Sequence, residues 1–115
     1  MQEIPNELIN DALVLLQQVS NNGRIKKGTN EVTKALERGN AKLVFVGGDV
    51  TPAEIVRHLP ILSKEKGVAY IEIPEAKKLG TSAGIGVGAA SVAIVDAGNN
   101  DSDLKSVIER VKQFN

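Results

Sequence analysis

Residues 43–46 read Leu-Val-Phe-Val, an apolar run with no polar residue to face water, and Gly47-Gly48 closes it. A short apolar run bounded by turn residues reads as a buried strand. Such a strand needs cover on both faces of its sheet, and the rest of the chain supplies helices for it. Residues 5–20 predict a helix, with Pro5 suited to the first turn and Leu8, Ile9, Ala12, Leu13, Leu16 and Val19 at helical spacing. Asn21-Asn22-Gly23 is expected to stop it. A short extended piece, Arg24–Lys27, precedes a helix over Asn30–Arg38, with Gly39 as its C-terminal cap. Thr51-Pro52-Ala53-Glu54 has capping-box spacing and predicts a helix start. Leu59-Pro60 is expected to interrupt that helix, with a short piece continuing to Lys66-Gly67. Val68–Ile73 and Ser91–Val95 read as strands, Glu75–Leu79 as a short helix, and Asp101–Phe114 as a final helix. Alternating strands and helices predict an α/β fold, a helix–sheet–helix sandwich.

With 115 residues and no linker or repeat, a single domain over residues 1–115 is expected. The absence of cysteine removes disulfide frameworks, thiolate metal sites and Cys nucleophiles. No apolar run approaches the roughly 20 residues of a membrane span. The acidic start MQEIPNELIND is not a secretory or transit leader, so a cytoplasmic protein with no membrane partner is expected.

Net charge is zero, but it is unevenly distributed. Residues 1–20 carry Glu3, Glu7 and Asp11 and no base. Residues 21–42 carry Arg24, Lys26, Lys27, Lys34, Arg38 and Lys42 against Glu31 and Glu37, a balance of +4 after −3. Lys77 and Lys78 add a second small basic spot. Such a patch can steer an anion on a neutral molecule, and it can equally be a solvated surface. Phe45, Tyr70 and Phe114 are the only aromatics, too few for a base-stacking platform. An RNA reader of this composition works through shape and base edges.

Residues 80–90, GTSAGIGVGAA, carry Gly80, Gly84, Gly86 and Gly88. No Lys follows as in a P-loop, and the stretch leads into a strand, not from a strand into a helix as a dinucleotide fingerprint requires. A recognition loop or a plain connector fits better than a nucleotide site. His58 stands alone without metal-ligand spacing, and its apolar surroundings favour a structural role near a helix end. Ser82, His58 and Asp96 make a triad on paper only, because almost any chain supplies those types.

The informative stretch is RIKKGTNEVTKALERG, residues 24–39. On a helix, Val32, Ala35 and Leu36 face the core, while Asn30, Lys34 and Arg38 share the opposite face with Glu31 beside them. An amide, a carboxylate and an ammonium at a helix start can read base edges, and Gly28 permits close backbone approach. The plainer reading has Asn30 capping the helix, Glu31 complementing its dipole, and Lys34 and Arg38 as solubilising surface.

KKGTNEVTKAL (26–36) resembles the signature of the archaeal large-subunit ribosomal protein L-seven-Ae family. The resemblance extends through EIPNELI (3–9), HLPILSKEKGVAY (58–70) and KKLGTSAGIGVGAASVAIVDAG (77–98). It implies a three-layer α-β-α sandwich with a mixed four-stranded sheet. It also implies binding of kink-turn RNA, a helix–bulge–helix bent at tandem sheared G·A pairs. By resemblance, Asn30, Glu31 and Lys34 contact the G·A guanines, and Lys27, Gly28 and Thr29 form the turn before them. Arg38 joins the RNA-binding candidates through its helical spacing with Asn30 and Lys34, and by resemblance Ile85, Gly86 and Val87 cover the bulge nucleotides. The implied RNA partners are ribosomal RNA, box C/D and box H/ACA guide RNAs and ribonuclease P RNA. The guide-particle core proteins are implied protein partners. The resemblance implies a free monomer with no cofactor and no catalysis of its own. Relatives often carry Glu where Gly86 stands, an acid where Thr51 stands, and a base where Ala76 precedes Lys77. A loop with three alternate glycines is expected to be mobile and costly to order. Two other classes make different predictions. A nucleotide-binding enzyme built on the glycine loop needs nucleotide affinity, and a protein–protein scaffold predicts that Glu31→Ala leaves function intact.

Overall fold

The computed structural model describes residues 4–115. Met1, Gln2 and Glu3, the last counted above in the acidic N-terminal stretch and in the EIPNELI match, lie outside the described residues. The elements run α1 (Asn6–Asn22), β1 (Arg24–Lys27), α2 (Thr29–Glu37), β2 (Leu43–Gly47), α3 (His58–Glu65), β3 (Ala69–Ile73), α4 (Ala76–Ser82), β4 (Ser91–Asp96) and α5 (Asp101–Lys112). Short 3-10 turns at Ala53–Ile55 and Gly98–Asn100 precede α3 and α5. The sheet order is β1-β4-β2-β3, with β2·β3 parallel and the other pairs antiparallel. This is the expected α/β sandwich with a mixed four-stranded sheet.

All five residues of β2 are buried, and alternation divides them between two cores. Leu43 and Phe45 join Ile71, Ile73, Val92 and Ile94 beneath α1, α4 and α5. Val44 and Val46 join Ala93 beneath α2 and α3, which contribute Val32, Ala35, Leu36 and Leu59. Each Val, Leu, Ile or Phe so buried contributes roughly 1.5–3 kcal/mol.

Four expectations are corrected. Helix α1 does end in the expected Asn21-Asn22-Gly23 stop, with Gly23 as its C-cap, but it runs two residues past Ser20, through Asn22. The reason is tertiary: Asn22 Oδ1 accepts from the Asn100 amide at 2.8 Å and from Asn99 N–H at 3.3 Å, holding the last turn in place. No α-helix starts at Thr51. A 3-10 turn follows it, and α3 begins at His58. Pro60 therefore lies in the first turn of α3 and does not interrupt it, because a first-turn N–H has no intrahelical partner to lose. Helix α4 continues past Leu79 through Gly80 to Ser82.

Three helices end in the same device. After α2, Gly39 N–H bonds Leu36 O at 3.1 Å and Asn40 N–H bonds Ala35 O at 2.9 Å. After α3, Gly67 and Val68 bond Lys64 O and Ser63 O, and after α4, Gly84 and Ile85 bond Thr81 O and Gly80 O. This is the Schellman pattern, and Gly39, Gly67 and Gly84 take the positive φ it requires (75°, 69° and 78°).

Ser63 on α3 is fully buried, and its Oγ finds no hydrogen-bond partner among the described residues. An unsatisfied buried hydroxyl is a net cost. Ser63→Ala is therefore expected to raise unfolding free energy by about 1 kcal/mol in urea denaturation; an unchanged or lower midpoint would show that the hydroxyl is satisfied.

Candidate nucleic-acid interface

One end of the sheet gathers the segments that the sequence singled out. There β1 ends at Lys27, β2 at Gly47 and β3 at Ile73, while β4 begins at Ser91, with Lys27 paired to Val92 and Val46 to Ser91. The β1–α2 turn and the 83–90 loop thereby become neighbours. Ser91 joins them: its carbonyl accepts Gly28 N–H at 3.0 Å, and its buried Oγ lies 3.3 Å from Thr29 Oγ1. Gly28 turns the chain from strand to helix at φ 91°, a conformation L side chains avoid. Nothing lies within 4 Å of where a Cβ would stand, so the backbone there is open to a ligand.

Helix α2 starts at Thr29, one residue earlier than expected. Gly28 takes the N-cap position and no side chain caps the helix. The reading of Asn30 as the cap is thus corrected: Asn30 lies one residue inside the helix, exposed and free of that role. Glu31 and Lys34 are about half exposed (49% and 54%), with Lys34 Nζ 3.6 Å from Glu31 Oε1. An exposed pair at that distance adds little stability, so both groups can exchange partners cheaply. An amide, a carboxylate and an ammonium are therefore presented together beside the open turn.

Along the outer face of α2 and strand β1 runs a groove of about 870 Å³. Arg24, Lys26, Lys34, Arg38 and Lys42 line it, with Glu31 and Asp96 as its acids. Five of the six bases counted in residues 21–42 thus share one surface. The sixth, Lys27, is exposed and leads directly into the Gly28 turn.

The glycine loop is divided. Ile85 follows the Gly84 cap and packs against the larger core, while Val87 is 70% exposed and Gly86 is exposed with open space around it. The expected tripeptide thus has one anchored member and two presented ones. Ala89 N–H bonds Ala76 O at 3.0 Å, and Asp49 Oδ1 accepts Ala76 N–H at 2.8 Å, tying the loop to the turns after β2 and β3. Thr51 and Lys77 are exposed nearby in sequence to these ties.

The paper triad does not assemble. His58 Nε2 bonds Thr33 Oγ1 at 2.9 Å, and Asp96, at the far end of β4 from Ser91, accepts Gly98 N–H. Among residues 4–115 no three His, Asp or Glu side chains cluster to hold a metal ion. No described helix is long and apolar enough to cross a membrane. Sequence reasoning passed over Ser91, Thr33 and Asp49, whose roles are set by partners 62, 25 and 27 residues away. The Thr29/Thr33 spacing of four was the one available signal.

The fold and this face define a class: a small α-β-α sandwich that presents exposed polar side chains at the start of its second helix and a basic groove along it. Matching residues 10–103 to the family profile identifies it: the chain belongs to the ribosomal protein L7Ae/L30e/S12e/Gadd45 family. It is 45% identical over 112 residues to the large ribosomal subunit protein eL8 of Methanobrevibacter smithii, covering 97% of this chain and 91% of that one. Its fold is similar to that of the 15.5kD RNA binding protein of Giardia lamblia, with a TM-score of 0.89 and 30% identity over 100% of this chain and 96% of that one.

Gly80 sits inside α4 where a Cβ would strike the Val87 carbonyl, so the loop lies directly on this helix. Gly80→Ala is expected to push residues 86–89 away, shift their amide resonances and cost roughly 1–3 kcal/mol. Gly86→Ala, in open space, should leave both nearly unchanged. Equal effects of the two would mean the loop does not rest on α4.

Proposed function

We propose that this protein is a non-catalytic, single-domain RNA-binding protein that recognises kink-turn motifs and holds them bent. The carrying observation is the exposed Asn30, Glu31 and Lys34 trio beside the open Gly28 turn, with the exposed Gly86-Val87 segment at the same end of the sheet. The RNA-binding name of the Giardia protein and the ribosomal name of the Methanobrevibacter relative support the same reading. In this reading the sheared G·A pairs open the groove enough for the start of α2 to enter. Glu31 accepts from guanine N–H groups, Lys34 donates to O6 and N7, and Asn30 does both. Lys27, Gly28 and Thr29 form the backbone platform against the bulge, and Val87 packs on unstacked bases without aromatic stacking. Arg24, Lys26 and Arg38 neutralise phosphates along the groove.

Bending then follows from population shift. The protein binds the kinked RNA better than the extended one and so selects it. The RNAs proposed are ribosomal RNA, box C/D and H/ACA guide RNAs and ribonuclease P RNA, with guide-particle core proteins joining the assembled complex. The free protein is proposed to be a cytoplasmic monomer that needs no cofactor.

Calorimetric titration into a short kink-turn RNA tests this, with a control RNA whose G·A pairs are changed to Watson–Crick pairs. Tight binding to the first and loss on the second are expected. Asn30→Ala and Glu31→Ala should each weaken the complex by roughly 1–3 kcal/mol without changing the melting temperature. Equal weak binding of both RNAs would reduce the groove to plain electrostatics and favour a protein–protein scaffold. A few phosphate contacts predict a slope of log K on log salt of roughly −3 to −4. Arg38→Ala should make the slope shallower by about one and weaken all RNAs alike.

A further inference from the structure

The first turn of α2 carries two of the proposed reading groups, Asn30 and Glu31, and two hydroxyls hold it. Thr29 is tied to Ser91 on the sheet side, as described above. On the other side Thr33 Oγ1 lies 2.7 Å from Thr29 O, one turn back, and 2.9 Å from His58 Nε2 at the start of α3. A hydroxyl has one proton. The Thr29 carbonyl can only accept, so that proton goes to it. Toward His58, Thr33 Oγ1 must therefore accept, and the proton between them sits on Nε2. The neutral Nδ1–H tautomer cannot make this contact.

We infer that His58 is a positioning residue for RNA recognition, acting through Thr33 to fix the first turn of α2. The inference rests on the RNA-binding reading above. A threonine bonded to the carbonyl four residues back usually loosens or bends its helix. Here the imidazole N–H occupies the hydroxyl's acceptor side and ties that carbonyl to a second helix. Asn30 and Glu31 lie in the turn between Thr29 and Thr33, so their angle to a ligand depends on this chain of bonds. His58 itself is exposed and remote in sequence from the reading groups, so its loss removes the tether without opening a core cavity.

The test pairs RNA titration with imidazole spectroscopy. Long-range proton–nitrogen correlation of the free protein should show His58 protonated at Nε2. His58→Ala should weaken kink-turn binding roughly threefold to tenfold with a near-normal melting temperature. His58→Gln, whose amide can donate from a similar place, should recover most of it. Thr33→Val should weaken binding as much, Thr33→Ser should not, and the double variant His58→Ala/Thr33→Val should be no worse than Thr33→Val alone. Wild-type affinity in His58→Ala, or an Nδ1–H tautomer, overturns the inference. Should the wild-type protein fail to bind kink-turn RNA, the functional reading falls by itself. The tether is then judged by the amide shifts of Asn30 and Glu31, which must move in His58→Ala and return in His58→Gln.

Discussion

Because Val44 and Val46 face away from Leu43 and Phe45, β2 leaves two apolar surfaces, and each must find helices of its own. The larger surface takes α1, α4 and α5. The smaller falls to α2 and α3, of nine and eight residues. Isolated helices that short are marginal in water. Helix α2 therefore exists because Val32, Ala35 and Leu36 are buried and because both its ends are bonded. Its N-terminal turn is held by Gly28, Thr29 and Thr33, and its C-terminal turn by Gly39 and Asn40. The proposed recognition face is thus the outer side of a helix whose inner side completes the core. A ligand meets it already formed, and little of the binding energy is spent on ordering it.

The same arrangement explains why polar residues can crowd here without destabilising the protein. Asn30, Glu31, Lys34 and Arg38 remain in water, and each loses hydration only when a partner arrives. The buried polar group at this junction is Ser91, and its main-chain and side-chain oxygens both face partners on the β1–α2 turn. Rigid parts are buried and satisfied, while responsive parts are exposed. That division fits a surface that reads a ligand without transforming it.

Much of this was legible before any coordinates. The apolar run in β2, the period of α1 and α5, and the Gly39 cap are local patterns, and local patterns survive into the structure. The α2 face was legible for the same reason: helical spacing alone separates Asn30, Glu31, Lys34 and Arg38 from Val32, Ala35 and Leu36. Failures came where a distant partner decides. Asn22 lengthens α1 through Asn99 and Asn100, more than seventy residues on. Pro60 reads as a breaker unless the helix start is known to lie two residues before it. Gly80 reads as a helix end unless the Val87 carbonyl is known to press on it. The charge excess of residues 21–42 was legible, but the groove that five of its bases line was not, since strand β1 and the turn before β2 approach α2 only in the fold.

The anchoring of the glycine loop has a metric consequence. Ile85 and Ala89 are both pinned by main-chain bonds, leaving Gly86, Val87 and Gly88 between them. Even fully extended, the four Cα–Cα steps from Ile85 to Ala89 span only roughly 14 Å. Val87, exposed at the middle of this stretch, is therefore held on a short tether. In the proposed reading, the α2 face and Val87 work as the jaws of a caliper with little travel. A bound RNA must then present its two contact points at one separation, so molecules of similar charge but different width are told apart before any single group is read.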